Sequence, residues 1–386
     1  MQVKQLHTLI NSVSQEILGT TAVVQEDLAN VVDLGKSIFD ATSVDNYVKK
    51  LVDHIGKVVF VNRLYAGGVP SVLMDSWEYG SVLEKVSSDM PAATQNESWA
   101  LEHGTDYSPD VFYKPSVSAK FFNSKVTFEI PLSFTEVQVK SSFGSAAQLN
   151  AFISMLVTGV ENSMTVKLDA LIMRTINNMV GETLYAGLQV AGVIDPQKAS
   201  VSAVNLLKLY NDATGKTLTE AKAISDADFI RYATYVIGMY QDRMSKVSTL
   251  FNIGGKERFS PKDKQHVVLL SDFSKASETF LMSATFNEDR VALPSHESVP
   301  FWQGSGLTYG FADTSAINVK TSSGKEVALT GIIGVIFDRD ALGVSNLSRR
   351  VTTNYNAKAE FYTNFYKFDA GYYNDLNENI VVFFVA

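Results

Sequence analysis

Residues 145–182 constrain the fold most, because this stretch contains no proline and repeats apolar side chains at helical spacing. Steps of three and four residues place such side chains on one face of an α-helix. This apolar stripe comprises Leu149, Phe152, Ile153, Leu156, Val160, Met164, Leu168, Leu171, Ile172, Thr175 and Met179. Ser145 and Gln148 fit a capping box, so the helix is predicted to begin there, and Gly181 is its predicted end. At 1.5 Å per residue it is roughly 55 Å long, about three times the average globular helix.

The polar face of this predicted helix is thin. Its charged residues are Glu161, Lys167, Asp169 and Arg174. A helix with so little polar surface is typically covered by other elements or by other chains. The ordinary alternative is a core helix of a single α+β domain.

Composition limits the class of protein. The chain has 386 residues, of which 46% are hydrophobic and 19% are charged, so it is expected to fold. No apolar run approaches the roughly 18 residues of a membrane helix, and the amino terminus lacks the apolar core of a secretory signal. We therefore expect a cytosolic product that does not enter a membrane. The absence of cysteine excludes disulfides, and the net charge of −8 argues against a general nucleic-acid binder.

Two regions precede the long helix. Residues 1–60 carry two amphipathic helical stripes, from Val3 to Ile17 and from Val44 to Ile55. Residues 78–130 place strand-like segments on either side of a polar, proline-containing loop, which predicts a long two-stranded arm with a flexible tip. A two-stranded ribbon is marginally stable alone in water, so the arm is expected to contact something else.

The mixed helix and strand patterns of residues 183–340 predict a compact α+β unit. A helix is expected at 225–244, and a buried strand at 266–273 leads directly into another helix. Strands are expected at 316–321 and 326–337, joined by a turn at 322–325. Residues 351–386 alternate and end in NIVVFFVA, which predicts a terminal strand tied into a sheet. The aromatic residues of this last segment fit a core or a subunit interface better than base stacking.

The sequence contains no complete catalytic or ligand-binding motif, and we predict no catalytic, cofactor-binding or metal-binding residue. Gly215-Lys216-Thr217 resembles the end of a phosphate loop, but Tyr210 stands where the first glycine is required. Asp338, Asp340 and Glu378 could form a carboxylate pair or metal site, yet a turn at 338–340 is the preferred interpretation. The histidines show no ligand spacing; they are His7, His54, His103, His266 and His296.

The order of these parts resembles the major capsid protein of tailed bacteriophages, with the Hong Kong 97-type fold. FDRDALGV at 337–344 and the segment from Thr352 to the carboxyl end are similar to the closing segment of many phage head proteins. SVDNYVKKLVDHIGKVVFVNRLY at 43–65 and EYGSVLEKV at 78–86 are similar to their amino-terminal segments.

The resemblance implies an α+β capsid fold with five parts. These are an amino-terminal arm at 1–74, an extension loop at 75–130, a peripheral domain with a spine helix at 131–182, an axial domain at 183–344, and a return to the peripheral domain at 345–386. The extension loop would lie over a neighbouring subunit. The side chains predicted to make that contact are Trp99, Leu101, Phe112 and Tyr113.

The resemblance also implies the function. Hexamers and pentamers would form an icosahedral shell around double-stranded DNA, without sequence-specific binding, and the protein would be found in the virion after assembly in the host cytoplasm. Only about 74 residues precede the loop, so a separate scaffolding protein is expected, with a portal and decoration proteins as further partners. An encapsulin-type compartment and a soluble α+β enzyme with a site within 183–340 are the alternatives.

Overall fold

A computed structural model describes residues 69–74, 83–107, 110, 112–135, 146–282, 293–303 and 310–386. The two amphipathic stripes expected within residues 1–60 lie outside this part, as does the predicted helix cap Ser145. The described chain combines helices with sheets, as the α+β prediction requires.

The helices are α1 (Ala146–Leu188), α2 (Leu206–Thr214), α3 (Glu220–Ala223), α4 (Ala227–Met244), α5 (Ser271–Met282) and α6 (Phe311–Thr314). The strands of the first half are β1 (Leu73–Met74), β2 (Leu83–Ser88), β3 (Val117–Phe122), β4 (Lys125–Thr135), β5 (Gln189–Val190), β6 (Val193–Ile194) and β7 (Ala203–Asn205). Those of the second half are β8 (Gln265–Leu270), β9 (Glu297–Val299), β10 (Ile317–Lys320), β11 (Glu326–Leu329), β12 (Ile332–Asp338), β13 (Leu342–Asn356), β14 (Phe361–Asn374) and β15 (Ile380–Phe384). Short 3-10 turns occur at Pro70–Val72, Glu97–Trp99 and Lys262–Lys264.

A five-stranded sheet in the order β7-β15-β12-β8-β9 forms the centre of one half of the molecule. Every residue of β12 and β15 is buried. Val335 and Val382 belong to the same apolar cluster as α1, whereas Ile336 and Val381 belong to the cluster that contains α4. Both faces of the sheet are therefore covered by helices, which explains why these strands read as continuous apolar runs. The predicted terminal strand is confirmed.

A four-stranded sheet in the order β1-β13-β14-β4 packs on α1. Alternate residues of β14 are buried, among them Tyr362, Tyr366 and Phe368, which join the α1 cluster. Residues 125–130, which we expected at the end of the arm, instead begin β4 and pair with β14. Their alternating apolar side chains need a sheet and a helix to cover them. Strand β15 also departs from the expected division of the chain. Residues 345–386 were predicted to return to the peripheral domain as one segment, but β15 pairs with β12 in the five-stranded sheet.

The long helix predicted for 145–182 is present as α1, which extends for 43 residues to Leu188. Its buried face runs from Val160 to Leu188 and contributes to the larger of the two apolar clusters. The predicted end at Gly181 is wrong. A β-carbon added at Gly181 would lie 2.2 Å from Val319 Cγ2, so this glycine lets β10 approach the helix and does not terminate it.

The single strand predicted at 326–337 is in fact two strands in two different sheets, β11 and β12. Gly331 separates them with a φ of +80°, a conformation that L side chains rarely adopt. A β-carbon there would lie 2.0 Å from the Val385 carbonyl oxygen. The helix predicted at 225–244 and the strand–helix sequence from 266 onward are confirmed by α4, β8 and α5.

Two glycines of α1 provide a test of this packing. Gly181→Ala should destabilise the protomer by about 1–3 kcal/mol, because the added methyl group overlaps Val319. Gly159→Ala should stabilise it by about 0.5–1 kcal/mol, because Gly159 lies in the same helix and no described neighbour lies within 4 Å of a β-carbon added there. Urea unfolding of the unassembled protein measures both. Equal effects of the two substitutions would contradict the close approach at Gly181.

Candidate subunit interface

Residues 83–122, which we call the arm, form the two-stranded element expected from the sequence. β2 and β3 pair in antiparallel register, with Lys85 opposite Lys120 and Val86 opposite Ala119. The two strands alternate between half-buried and exposed residues. The arm therefore has an inner face toward the body of the protein and an outer face toward solvent. The loop between the strands, residues 89–116, is the tip.

An ion-pair cluster attaches the inner face to the body. Lys85 Nζ lies 2.9 Å from Asp375 Oδ2 and 2.7 Å from Glu378 Oε1, and it donates a hydrogen bond to the Asp340 carbonyl at 3.0 Å. Lys120 Nζ lies 2.7 Å from the other oxygen of Asp375. Two lysines directly opposite each other would repel, and one carboxylate between them relieves that repulsion. We call Lys85, Lys120, Asp375 and Glu378 the latch.

Burial makes the latch more costly to disrupt than a surface ion pair. The side chain of Asp375 is 3% exposed and that of Lys85 is 20% exposed. Burial alone would raise the pKa of Asp375, but hydrogen bonds from Lys120 and Lys85 outweigh it and hold that pKa below its ordinary value. Burial alone would lower the pKa of Lys85, yet its bonds to Glu378 and Asp375 raise it. Both groups are therefore charged at neutral pH, and removing Lys85 would leave the buried carboxylate of Asp375 with one of its two cations.

Glu378 behaves differently from Asp375. Burial raises its pKa, and this effect exceeds the stabilisation by Lys85. Arg258 Nε lies 3.6 Å from the same carboxylate oxygen that accepts from Lys85. Glu378 thus depends on two cations to remain charged in this position.

Two further contacts fix the base of the arm. Asp89 accepts from Ser116 Oγ at 2.8 Å and lies 3.2 Å from Lys256 Nζ. The rings of Phe122 and Tyr373 lie 5.0 Å apart between centroids. The strands are therefore held at both ends of the pairing, while the tip extends away from them.

The four side chains predicted to contact another subunit all lie in the tip, and all are exposed. Trp99 is 97% exposed, Phe112 and Tyr113 are each 85% exposed, and Leu101 is 63% exposed. The tip also has local order, because the Glu102 N–H donates to Tyr107 Oη at 2.9 Å and the Ser98 N–H donates to Asn96 Oδ1 at 2.8 Å. Trp99 and its companions are thus exposed to solvent, and Trp99 and Leu101 lie within the hydrogen-bonded stretch 96–107.

Sequence reasoning missed the latch and the outer face of the arm. The outer face exposes Val86, Val117 and Phe121. The alternation in LEKVSS and VSAKFF could have predicted the two faces, because it places Lys85 and Lys120 on one side of the ribbon and these apolar residues on the other. No local pattern indicates Asp375, which lies 290 residues from its partner Lys85.

The other candidate sites have structural roles. Lys216 donates to Tyr210 Oη at 2.9 Å and lies 3.2 Å from Asp228, next to Gly215 at the end of α2. Residues 338–340 form the preferred turn, in which the Asp338 carboxylate accepts from the Asp340 N–H. Among the described residues, no group of three or more His, Asp or Glu side chains is arranged to hold a metal ion.

No helix in the described ranges is long and apolar enough to span a membrane.

Solved structures define the class of fold. A chain in the capsid structure of Staphylococcus phage Andhra aligns with a TM-score of 0.50 and 10% identity, over 84% of this chain and 86% of that one. A chain in the structure of the head fiber and inner core protein gp22 of native bacteriophage P68 aligns with a TM-score of 0.50 and 9% identity, over the same shares. At such low identity the likeness concerns the fold alone, and that fold is one found in phage capsids.

Sequence comparison gives the family. The major capsid protein of Bacillus phage GA-1 is 25% identical over 198 residues, which make up 50% of this chain and 40% of that protein. The aligned part thus spans less than half the length of that relative. The family described as Phi29-like phage major capsid protein matches residues 6–384. The chain belongs to this family, so it is a capsid component of the virion.

The latch can be tested with lysine substitutions. Lys85→Met should loosen the arm, because Asp375 and Glu378 lose the cation that they share and keep only Lys120 and Arg258. Removing a hydrogen-bond donor from a buried charged group costs about 1–3 kcal/mol. Hydrogen exchange over 83–88 and 117–122 should accelerate. Lys114→Met is the matched control, since Lys114 is exposed and lies outside the latch. If Lys85→Met leaves exchange in both strands unchanged, the latch does not hold the arm.

The shifted pKa values of Asp375 and Lys85 predict the pH range over which the latch stabilises the arm. The depressed pKa of Asp375 makes its contribution present above its ordinary value of 3.8 and lost as pH falls below it. The raised pKa of Lys85 makes its contribution present below 10.5 and lost above it. Asp375→Asn should therefore speed proteolysis of the arm at pH 7, and the difference from the native protein should shrink toward pH 3. A difference that persists undiminished at pH 3 would contradict a role for the charge.

Proposed function

We propose that the arm tip is the contact by which one copy of this capsid protein attaches to the next. The exposure of Trp99, at 97%, is the observation that carries this proposal. Large aromatic side chains dominate the energetics of protein interfaces, and the tip exposes several large apolar side chains on one loop. The latch supports the proposal, because a tip held on a fixed base loses less conformational freedom on binding.

In this proposal the copies form hexamers and pentamers of a closed icosahedral shell. A contact between two different surfaces of the same chain generates rings when the rotation closes. The proposed division of the chain keeps an amino-terminal arm at 1–74, an extension loop from 75, a peripheral domain around α1 and the four-stranded sheet, and an axial domain around the five-stranded sheet. The extension loop ends before β4, at about residue 124.

The shell is proposed to enclose double-stranded DNA without sequence-specific contacts. The chain carries a net charge of −8, and an acidic wall would not bind the duplex tightly. A separate scaffolding protein, a portal and decoration proteins are the other proposed partners. The proposed role is structural and not enzymatic.

The family match supports this function over the two alternatives that the sequence leaves open. It extends over residues 6–384 and so includes the 183–340 unit in which a soluble enzyme would need its site. An encapsulin-type compartment would share the fold but would enclose proteins, so the contents of purified particles distinguish it from a phage shell.

The tip contact is tested by removing its aromatic side chains. Trp99→Ala combined with Phe112→Ala should leave the protomer folded, since both residues are exposed, but should reduce assembly by at least tenfold, roughly the effect of losing one interface hot spot of about 2 kcal/mol. Tyr235→Ala is the control, because Tyr235 is 65% exposed on α4, outside the arm. Sedimentation velocity measures assembly, and circular dichroism measures folding. Normal assembly of the double variant would refute the tip contact.

A further inference from the structure

Two exposed loops of the chain carry opposite charge. The tip, residues 89–116, contains five acidic residues and one lysine, a net charge of −4. The loop that joins α4 to β8, residues 245–264, contains five basic and two acidic residues, a net charge of +3. We call this second loop the basic loop. The basic loop is thus a cationic segment of a chain whose total charge is −8.

The basic loop also presents apolar side chains. Leu250 is 62% exposed, Val247 is 51% exposed and Phe259 is 50% exposed. Ser248 and Arg258 form an antiparallel bridge through two backbone hydrogen bonds of 2.9 and 3.1 Å. The next pair outward, Val247 and Phe259, is therefore directly opposite across the bridge, and their side chains share one side of it. The basic loop thus combines a small apolar patch with surrounding cations.

We propose that the tip of one copy docks on the basic loop of a second copy. This inference rests on the proposed function, in which the tip contacts a neighbour, and it names the surface that receives it. The apolar side chains of the tip would cover Val247, Leu250 and Phe259. The acidic residues Glu102, Asp106 and Asp110 would face Lys246, Lys262 and Lys264, and all six of these charged residues are exposed. Complementary charge of this kind orients the partners and speeds their encounter.

The contact connects two copies and not two parts of one chain. The base of the tip does touch the basic loop of its own chain, through Asp89 and Lys256 at 3.2 Å. Beyond that base, Trp99 and Phe112 remain 97% and 85% exposed, so they do not reach their own basic loop. The latch fixes the strands in this position. The far part of the tip is thus available only to another molecule.

A second cationic region is a weaker candidate for the acceptor. Strand β13 and the turn that follows it carry Arg349, Arg350 and Lys358. The large apolar side chain exposed near it is Tyr355, at 38%, whereas the basic loop exposes three such side chains at 50% or more. Charge alone could fit either region, but the aromatic tip requires an apolar surface as well.

Charge reversal tests the proposal in trans. The tip variant is Glu102→Lys, Asp106→Lys and Asp110→Lys, and the loop variant is Lys246→Glu, Lys262→Glu and Lys264→Glu. Each variant alone places like charges on both proposed surfaces, so sedimentation velocity should show assembly reduced by about tenfold or more. The tip variant has a basic tip and a basic loop, whereas the loop variant has an acidic tip and an acidic loop. In a mixed hexamer in which the two variants alternate, every tip therefore meets a loop of opposite charge, and assembly should recover. The triple variant Asp212→Lys, Glu278→Lys and Glu326→Lys, at exposed positions elsewhere, controls for the change in net charge.

The outcomes separate the two proposals. Recovery on mixing supports docking between copies. If each variant alone assembles like the native protein, or if mixing fails to restore assembly while both variants stay folded, the basic loop is not the acceptor, and the Trp99 and Phe112 test of the tip still stands by itself. If the native protein forms no assemblies under any condition, with or without a scaffolding partner, the proposed shell function fails first.

Discussion

Burial of one face of α1 is the contact on which both halves of the molecule depend. The same apolar cluster contains residues of α1, of the four-stranded sheet and of one face of the five-stranded sheet. A helix of about 65 Å offers enough length for two sheets to pack side by side on it. Since each sheet buries side chains against the same helix, displacement of α1 would expose the core of both.

The arm is stabilised by a different kind of interaction. Its two strands have no apolar core of their own, and such a ribbon is marginal in water. Charge replaces the core: Lys85 and Lys120 meet one buried carboxylate, Asp375, in the turn that precedes β15. Because β15 is a central strand of the five-stranded sheet, the arm is anchored to one of the most firmly held parts of the protein. The outer face and the tip are left exposed.

Local patterns predicted most of the fold. Helical spacing gave α1 and α4, alternation gave β14, and the apolar run NIVVFFVA gave the buried terminal strand, since in each case the signal lies within a single element. The errors arose where the deciding contact was remote in sequence. Gly181 resembles a helix stop until Val319 is known to lie against it, and 326–337 resembles one strand until Val385 is found beside Gly331. The exposure of Trp99 could be predicted because it lies in a polar loop. The latch could not, because Asp375 lies 290 residues from Lys85 and no local spacing connects them.

The arrangement of charge links the anchored arm to assembly. The latch pairs the lysines of the inner face with carboxylates of the body, whereas the acidic tip has a net charge of −4 with Lys114 as its one lysine. In the basic loop, Lys256 pairs with Asp89 at the base of the tip and Arg258 lies beside Glu378 of the latch, yet Lys246 and Lys264 remain exposed. One set of interactions inside the chain thus positions the arm, and the charges that remain are complementary between copies. Because the two remaining surfaces differ from each other, each copy can give its tip to one neighbour and receive the tip of another, which is the geometry that closes into a ring.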